Sequence, residues 1–275
     1  MDVTQVIGLI FALLFFHMKF KFILILTLTL WNCLSKTQTV VSKNDTYHFQ
    51  SGGLLNILNG AIIEGSSGHG GIQPDYLVDL EHEKFQKFLA KAKYIGSTEV
   101  DFWDKIRKII NLIDGETFKY VNYKNPYYLR LLKKARIEKR ELRLSEYLSC
   151  QAGVCREFGL FTHFALKAAG IPNNFVYAKI QRASNYDNFN IIEDHAFVVV
   201  TYENVEWVID PYYWGFNGFQ LADLMRPEGI TINSKNAPIA TPGPGFRRII
   251  NINNYPKVWI PKNEKQGICK ELFYK

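Results

Sequence analysis

Three residues of the types used in thiol catalysis occur along the chain in the order Cys155, His195 and Asp210. A cysteine thiolate attacks carbonyl carbons, an imidazole can take the thiol proton, and a carboxylate can orient the imidazole. The trio therefore predicts covalent catalysis with Cys155 as nucleophile, His195 as base and Asp210 as the residue that orients the base. Taken singly, each residue could also have a purely structural role. Asp210 precedes Pro211 in a turn-like position, and His195 follows Glu193 and Asp194, either of which could bind it.

The residues around Cys155 predict that it begins a helix. Gly153 precedes it, and apolar residues then recur at helical spacing until the stop at positions 170–172. The helix dipole and the unpaired N–H groups at this end favour a thiolate and can stabilise an oxyanion, and Arg156 adds positive charge. Cys150 lies upstream of Gly153 and is expected outside the helix, so Cys155 is the better nucleophile.

The base and its orienting acid are expected on one β-hairpin, with strands over 195–202 and 205–210. A two-residue turn at positions 203 and 204 places Asp210 opposite Phe197; a turn one residue later shifts the pairing by two residues. Both registers put His195 and Asp210 on the same face of the hairpin, because side chains alternate with period two. The helix that begins at the cysteine is expected to pack against that face.

These residues lie in runs that resemble bacterial members of the transglutaminase-like superfamily. The runs are Gly153-Val154-Cys155-Arg156, Ala168-Ala169-Gly170-Ile171-Pro172, His195-Ala196-Phe197-Val198 and Trp207-Val208-Ile209-Asp210-Pro211. The resemblance covers about 150–219 and implies an α+β, papain-like core, with the catalytic cysteine at a helix N-terminus packed on an antiparallel sheet. It also implies that the catalytic residues of the family correspond to Cys155, His195 and Asp210. The chain departs from the family in having Phe158 and Gly159 shortly after the cysteine, although Glu157 keeps an acid there.

The resemblance implies acyl transfer through a thioester, with water or an amine as the acceptor. Hydrolysis, by a peptidase or amidase, is the leading prediction because water is the abundant acceptor outside cells. A protein-glutamine transamidase or deamidase is the alternative, and a non-catalytic module that binds a peptide or glycan is the second. Tyr212, Tyr213 and Trp214 follow Asp210 and are predicted to wall the cleft and bind an extended peptide, or else to pack in the core.

Composition points to a globular protein. The resemblance implies a protein or peptide as its substrate. The net charge is +7, and much of the positive charge falls within a predicted amphipathic helix over 127–147. We interpret that charge as a solvated face; no nucleic acid is expected as a partner, because no nucleic-acid-binding motif accompanies it. No cofactor is predicted, and a zinc site is disfavoured because the cysteines and histidines lack paired ligand spacing.

The N-terminal residues predict export. Two apolar runs, 6–16 and 22–31, are separated by Lys19 and Lys21. Read from Met18 as the true start, two lysines, an apolar stretch and small polar residues form a signal peptide within 1–35. The protein is then secreted or periplasmic; the alternative is an uncleaved segment that associates with the membrane and anchors the protein there.

The remaining chain divides by composition. A flexible arm is predicted over 36–75, a helical region over 76–149, the catalytic core over 150–219 and an extension over 220–275. The helical region should hold helices over 80–95 and 100–113, and the extension a strand near 258–260. The extension would either cover the cleft, as a lid or propeptide does, or complete the core. In an oxidising compartment Cys150 and Cys269 would pair and leave Cys155 free, although three unrelated thiols fit equally well.

Overall fold

Helices dominate the first part of the described chain and strands the second. The computed structural model describes residues 47–65, 74–119, 124–184, 190–213, 216–232, 245–252 and 257–262. The helices are α1 (Glu83–Thr98), α2 (Phe102–Asn111), a π-helix (Leu112–Thr117), α3 (Pro126–Glu138), α4 (Leu144–Cys150), α5 (Cys155–Ala168) and α6 (Leu221–Leu224). The strands are β1 (Tyr47–Ser51), β2 (Ile62–Ile63), β3 (Tyr76–Leu77), β4 (Leu142–Arg143), β5 (Asn173–Ser184), β6 (Asn190–Tyr202), β7 (Val205–Ile209), β8 (Ile230–Ile232), β9 (Gly245–Asn251) and β10 (Lys257–Pro261). The fold is α+β, as predicted.

The larger sheet has the strand order β7-β6-β5-β9-β8, and all its neighbours are antiparallel. In the β6–β7 hairpin Val198 pairs with Ile209, which places Asp210 opposite Phe197. This is the first of the two predicted registers. The turn residues Glu203 and Asn204 have φ values of 51° and 62°. Two consecutive left-handed residues match the right-handed twist of a hairpin, and they fix this register.

The α5 helix packs on one side of this sheet, in a cluster that includes Phe161 of the helix and Ala196 and Val198 of β6. By register, His195 shares its side of β6 with Phe197, which belongs to a second cluster closed by α6. The prediction that the cysteine helix packs against the face of His195 and Asp210 is therefore wrong. The helix covers the alternate residues of β6, which include Ala196, Val198 and Val200.

The approach of α5 to the sheet accounts for Gly159. A Cβ atom at this position would lie 3.0 Å from Cε2 of Phe175 and 3.4 Å from the backbone of Ala196. A side chain here would push the helix away from β6, and with it the first turn that carries Cys155. The departure from the family pattern at this position therefore keeps the contact between helix and strand close.

The long basic helix predicted over 127–147 is interrupted in the structure. The α3 helix ends at Glu138, Lys139 adopts a left-handed conformation with φ 50°, and β4 follows before α4 begins. The interruption lets Leu142 pair with Tyr76 of β3 and become fully buried. A strand pair with a distant segment thus replaces about one and a half turns of helix, which no local pattern indicated.

The two earlier helices are confirmed with shifted ends. Helix α1 runs through Thr98, whose hydroxyl donates to the Tyr94 carbonyl at 2.9 Å. The N-cap of α2 is Asp101, whose carboxylate accepts the N–H of Asp104 at 2.8 Å.

The flexible arm predicted over 36–75 is wrong for residues 47–65. Leu55 and Ile57 are fully buried, and β1 pairs along its length with β10. Leu55 also exchanges two backbone hydrogen bonds with Phe175 of β5, at 2.9 and 2.8 Å. The polar composition concealed these apolar positions, which gain more from burial than the chain loses in entropy.

The predicted C-terminal strand is confirmed as β10, and the described parts of the extension complete the two sheets. β9 pairs with β5, and β10 lies between β1 and β2. Several predictions fall outside the described residues: the leader, the arm at 36–46 and 66–73, Trp214 and Cys269. The Cys150–Cys269 pairing therefore stays a prediction. No helix in the described ranges is both long and apolar enough to cross a membrane.

Candidate active site

His195 and Asp210 form a buried pair. The Nε2 atom of the imidazole lies 2.7 Å from Oδ2 of the carboxylate, and the side chains are 0% and 1% exposed. Glu193 is one of the two preceding acids that could have bound His195. It binds the Arg182 guanidinium instead, at 2.6 Å. The register of the hairpin brings the two residues together as diagonal neighbours, and burial shields their attraction from water.

The carboxylate of Asp210 is held from both sides. Its Oδ1 atom accepts the backbone N–H groups of Tyr212 and Tyr213, at 3.1 and 3.0 Å. The backbone N–H of Asp210 donates to Oδ1 of Asn217 at 3.1 Å. Asn217 is fully buried, and the sequence reasoning missed it. A buried amide that accepts the N–H of the orienting acid fixes the backbone from which that acid projects, and only its position after the strand end could have pointed to it.

Cys155 is the first residue of α5 and is 3% exposed. The preceding Val154 N–H donates to Oε2 of Glu157 at 2.8 Å, which satisfies one of the free donors at this helix end. Burial raises the pKa of Glu157, against the hydrogen bond from Tyr76 and the charge of Arg156. The acid retained after the cysteine thus caps the helix that carries the thiol.

Arg156 is also buried, and it does not face solvent as a free charge. Its guanidinium lies 4.7 Å from the centre of the Tyr76 ring and 5.4 Å from that of Tyr177, and it donates to the Glu64 carbonyl at 3.3 Å. The residue after the cysteine therefore anchors the first turn of α5 to β3 and β5.

The thiol of Cys155 interacts with the His195 ring. Burial alone lowers the pKa of His195, but the Asp210 carboxylate and then Cys155 outweigh it and raise the pKa to about 10. The Nδ1 atom of His195 is buried and meets no partner at full hydrogen-bond geometry among the described residues. Since Nε2 is committed to Asp210, Nδ1 is the nitrogen left to exchange a proton with the thiol.

Two of the three predicted substrate-binding aromatics surround the imidazole. The Tyr213 ring stacks on His195 with centroids 4.5 Å apart and planes 26° from parallel, and Tyr212 packs edge-on against Phe158 at 5.4 Å. Burial raises the pKa of both tyrosines. The Arg182 guanidinium lies over the Tyr213 ring, 4.6 Å from its centre. These rings shield the imidazole, while their contact with a substrate stays a prediction.

Part of the chain matches a known protein family. Residues 90–218 match the transglutaminase-like domain family. The match begins upstream of position 150, so it includes most of α1 and all of α2 and α3, which the sequence reasoning treated as a separate helical region. No curated protein matches the chain.

Solved structures similar to the chain include the periplasmic domain of TgpA from Pseudomonas aeruginosa, with 19% identity and a TM-score of 0.33 over 46% of this chain. The chain spans 42% of the length of that domain. Others are a TGase, with 14% identity and a TM-score of 0.31 over 47% of this chain and 30% of that one, and arylamine N-acetyltransferase C from Bacillus anthracis, with 15% identity and a TM-score of 0.30 over 66% and 69%.

Proposed function

Residues 90–218 are a transglutaminase-like domain, and on that premise we propose that the protein is a thiol enzyme that cleaves peptide or amide bonds through a thioester on Cys155. His195 acts as the proton carrier and Asp210 as its orienting acid. The observation that carries the proposal is the buried hydrogen bond between His195 and Asp210. The Cys155 thiol, at the start of α5, interacts with the same imidazole. A hydrophobic core gains nothing from a buried carboxylate and imidazole, and burying these groups costs free energy unless they bind each other.

In the first half of the reaction, the Cys155 thiolate attacks the carbonyl carbon of the substrate, and the negative charge moves to the carbonyl oxygen. Backbone N–H groups of the first turn of α5 supply donors for this oxyanion. The C–N bond then breaks, and the leaving nitrogen takes the proton held on Nδ1 of His195. The products are ammonia or an amine and a thioester on Cys155.

In the second half, an acceptor attacks the thioester while His195 takes its proton and returns it to the departing sulfur. Water as the acceptor gives hydrolysis, which we favour because water is the abundant acceptor outside cells. An amine acceptor gives transamidation, which is the alternative. A peptide- or glycan-binding module without catalysis is the second alternative, and it requires no reactive thiol.

Alkylation of each cysteine by iodoacetamide across pH tests the proposal, with the modified peptides separated and quantified by mass spectrometry. Cys155 is expected to react below about pH 6, where a free thiol with a pKa near 8.5 is almost wholly protonated. Cys150 is an internal control in the same molecule, because burial and then Glu146 raise its pKa. It should react only in alkaline solution.

The His195→Ala variant should slow alkylation of Cys155 at low pH and leave Cys150 unchanged. If Cys155 instead reacts with the pH dependence of an ordinary thiol, the enzyme proposal fails and the binding module takes its place. Where the thiol is reactive, glutamine-containing peptides offered with and without a fluorescent alkylamine separate the reactions. Ammonia release or new peptide ends without amine incorporation indicates hydrolysis, and amine incorporation indicates transamidation.

We propose further that the protein acts outside the cytoplasm, secreted or periplasmic, with a membrane-anchored form as the alternative. The support is the order of two lysines, an apolar stretch and small polar residues from Met18 onward. The N-terminal residue of the mature protein, read from the exported fraction, tests this. A start after about residue 35 supports cleavage, and retention of the apolar run supports the anchor.

A further inference from the structure

The imidazole of His195 needs more than one contact to keep its orientation. Its Nε2 atom is held by Asp210 at 2.7 Å, but a ring bound through one atom can still pivot about that hydrogen bond. Among the described residues, Nδ1 meets no partner at full hydrogen-bond geometry that would stop this rotation. Proton exchange requires Nδ1 to stay directed at the Cys155 thiol. Packing contacts must therefore hold the plane of the ring.

Tyr213 makes the closest aromatic contact with this imidazole. The two ring centres are 4.5 Å apart, whereas the described rings of Phe197, Tyr212 and Phe216 lie 5.9 to 6.2 Å away. The Tyr213 ring is also the most nearly parallel to the imidazole, at 26°. Its backbone N–H donates to Oδ1 of Asp210 at 3.0 Å. One residue thus contacts both the base and the acid that orients the base.

Arg182, on β5, contacts the same Tyr213 ring. Tyr213 lies in the irregular segment after β7, so no strand pairing fixes its side chain. The Arg182 guanidinium lies over the ring, 4.6 Å from its centre, and its Nη2 atom donates a long hydrogen bond of 3.5 Å to the tyrosine hydroxyl. A planar guanidinium can stack on an aromatic ring and also donate to its hydroxyl. These two contacts hold the tyrosine ring in place.

Glu193 fixes Arg182 in turn and neutralises its charge. By register, Arg182, Glu193 and His195 project from the same face of the sheet. The Nε atom of Arg182 donates to Oε1 of Glu193 at 2.6 Å, and both side chains are partly buried. A guanidinium without this carboxylate would oppose a proton on the imidazole by charge repulsion. The ion pair can hold the ring without that repulsion.

We propose that Arg182 is a positioning residue: it holds the Tyr213 ring against His195 and so keeps the imidazole directed at the thiol. Glu193 orients the guanidinium and cancels its charge. The inference rests on the proposed function, to which it adds a residue that acts on the imidazole only through Tyr213. Loss of Arg182 should therefore loosen the imidazole while its hydrogen bond with Asp210 stays in place.

Alkylation of Cys155 by iodoacetamide near pH 6 tests the proposal, with Cys150 as the reference in the same molecule. Arg182→Gln should slow alkylation of Cys155 about tenfold, because Nδ1 is then directed at the thiol for less of the time. If the guanidinium acted by its charge alone, its removal would favour the imidazolium, and alkylation would be equal or faster. Arg182→Lys keeps the charge and the pair with Glu193 but not the planar stack, so it should restore the rate in part.

Arg247→Gln is the matched control. Arg247 lies opposite Arg182 in the same sheet, and its Nη1 atom donates to the Ala183 and Phe246 carbonyls at 2.9 and 2.8 Å. The variant makes the same change in net charge and should change alkylation less than about twofold. In a Tyr213→Leu background, Arg182→Gln should have almost no further effect, since the ring through which it acts is absent.

NMR of the histidine ring protons gives a second readout, which does not depend on a reactive thiol. The stacked Tyr213 ring shifts the signals of His195, so Arg182→Gln should move them. The signals of His163, which is fully buried on α5, should stay in place and show that the fold is intact. The His195→Ala variant identifies which signals belong to His195.

The proposal is overturned by an unchanged rate or unchanged ring signals in Arg182→Gln, by equal slowing in Arg247→Gln, or by an effect of Arg182→Gln that is just as large without the Tyr213 ring. A wild-type Cys155 that reacts as an ordinary thiol refutes the enzyme proposal instead. The ring signals then decide by themselves whether Arg182 holds Tyr213 against the imidazole.

Discussion

Two fully buried histidines, His163 on α5 and His195 on β6, have opposite acid–base properties. Burial and then the Lys167 charge lower the pKa of His163 well below its usual value. Its Nδ1 lies 2.6 Å from Oδ1 of Asn173, and its Nε2 lies 3.2 Å from the Ile57 carbonyl. His195 has an equally dry environment but a carboxylate partner, and its pKa is raised to about 10.

The contrast shows that a partner charge, and not burial, makes a buried imidazole hold a proton. Burial disfavours the charged form of His163, and the single ring N–H of the neutral form donates to one of two oxygens, Oδ1 of Asn173 at the start of β5 or the Ile57 carbonyl before β2. His195 is paired with Asp210 through Nε2, which favours its charged form, and Nδ1 is left for proton exchange with the thiol. The first is a structural histidine and the second has the properties required of a proton carrier.

Asp210→Asn is expected to have the largest effect, because it removes the charge and keeps the shape. The pKa of His195 should fall, and alkylation of Cys155 near pH 6 should slow by up to about 300-fold, because a thiol with a pKa near 8.5 is only about 0.3% thiolate at that pH. Histidine NMR titration and the alkylation assay measure both. Asp223→Asn, in an exposed pair with Arg226, serves as the control. Unchanged alkylation in Asp210→Asn would remove the distinction between the two histidines.

His163→Ala should affect only stability. It leaves the Asn173 amide and the Ile57 carbonyl without a ring partner and opens a cavity, so the free energy of unfolding should fall by about 2–4 kcal/mol. Alkylation of Cys155 in the folded protein should not change. Denaturant unfolding gives the first quantity. His82→Ala is the control, since this exposed N-cap contributes about 1 kcal/mol or less. Slowed alkylation in His163→Ala would assign this histidine a part in the site.

The pH dependence of stability should have two opposite slopes. The His195 pKa is raised, so its contribution is complete below the ordinary value near 6.5 and is lost as pH rises toward about 10. The His163 pKa is lowered, so stability is lost as pH falls below about 6.5. Each slope has an upper limit of about 1.4 kcal/mol per pH unit. Urea unfolding at several pH values gives both slopes. The Asp210→Asn variant should flatten only the alkaline slope. A steeper alkaline slope in this variant would contradict the assignment of that slope to the His195–Asp210 pair.

Asn217→Ala should give the smallest of these effects. It removes the acceptor of the Asp210 backbone N–H, which costs about 1–2 kcal/mol and loosens the carboxylate. Alkylation of Cys155 should slow about tenfold, and the pKa of His195 should fall slightly. Asn56→Ala, at an exposed residue that binds Lys167, is the control. A loss of stability without slower alkylation would make Asn217 purely structural.

Much of the site could be predicted because its parts are local. Helix start, hairpin turn and strand alternation are all encoded within a few residues, and these placed Cys155, His195 and Asp210 on the correct elements. The register was narrowed to two possibilities, and the left-handed turn at positions 203–204 selected one. Asn217 could not be found in this way, because its role depends on a hydrogen bond to a turn whose path the sequence does not specify.

The remaining fold could not be predicted because its elements depend on distant partners. The break after Glu138 serves a pairing of Leu142 with Tyr76, 66 positions upstream. The segment at 47–65 looked unstructured because its strands are short and much of it is polar, and it gains stability from elements that are distant in sequence, among them β10 and β5. A local pattern holds no information on such partners, since the free energy comes from contacts made after the chain has returned on itself.

The sequence by itself determined the three reactive residue types, their order, and the elements that carry them, because propensity and periodicity act between near neighbours. Only the tertiary structure decided which face α5 covers, how Asp210 is held, and why His163 and His195 differ. Those properties depend on burial and on the charge of residues that are distant in sequence. Electrostatic interactions in a dry interior depend on distance in space, and only the folded chain sets that distance.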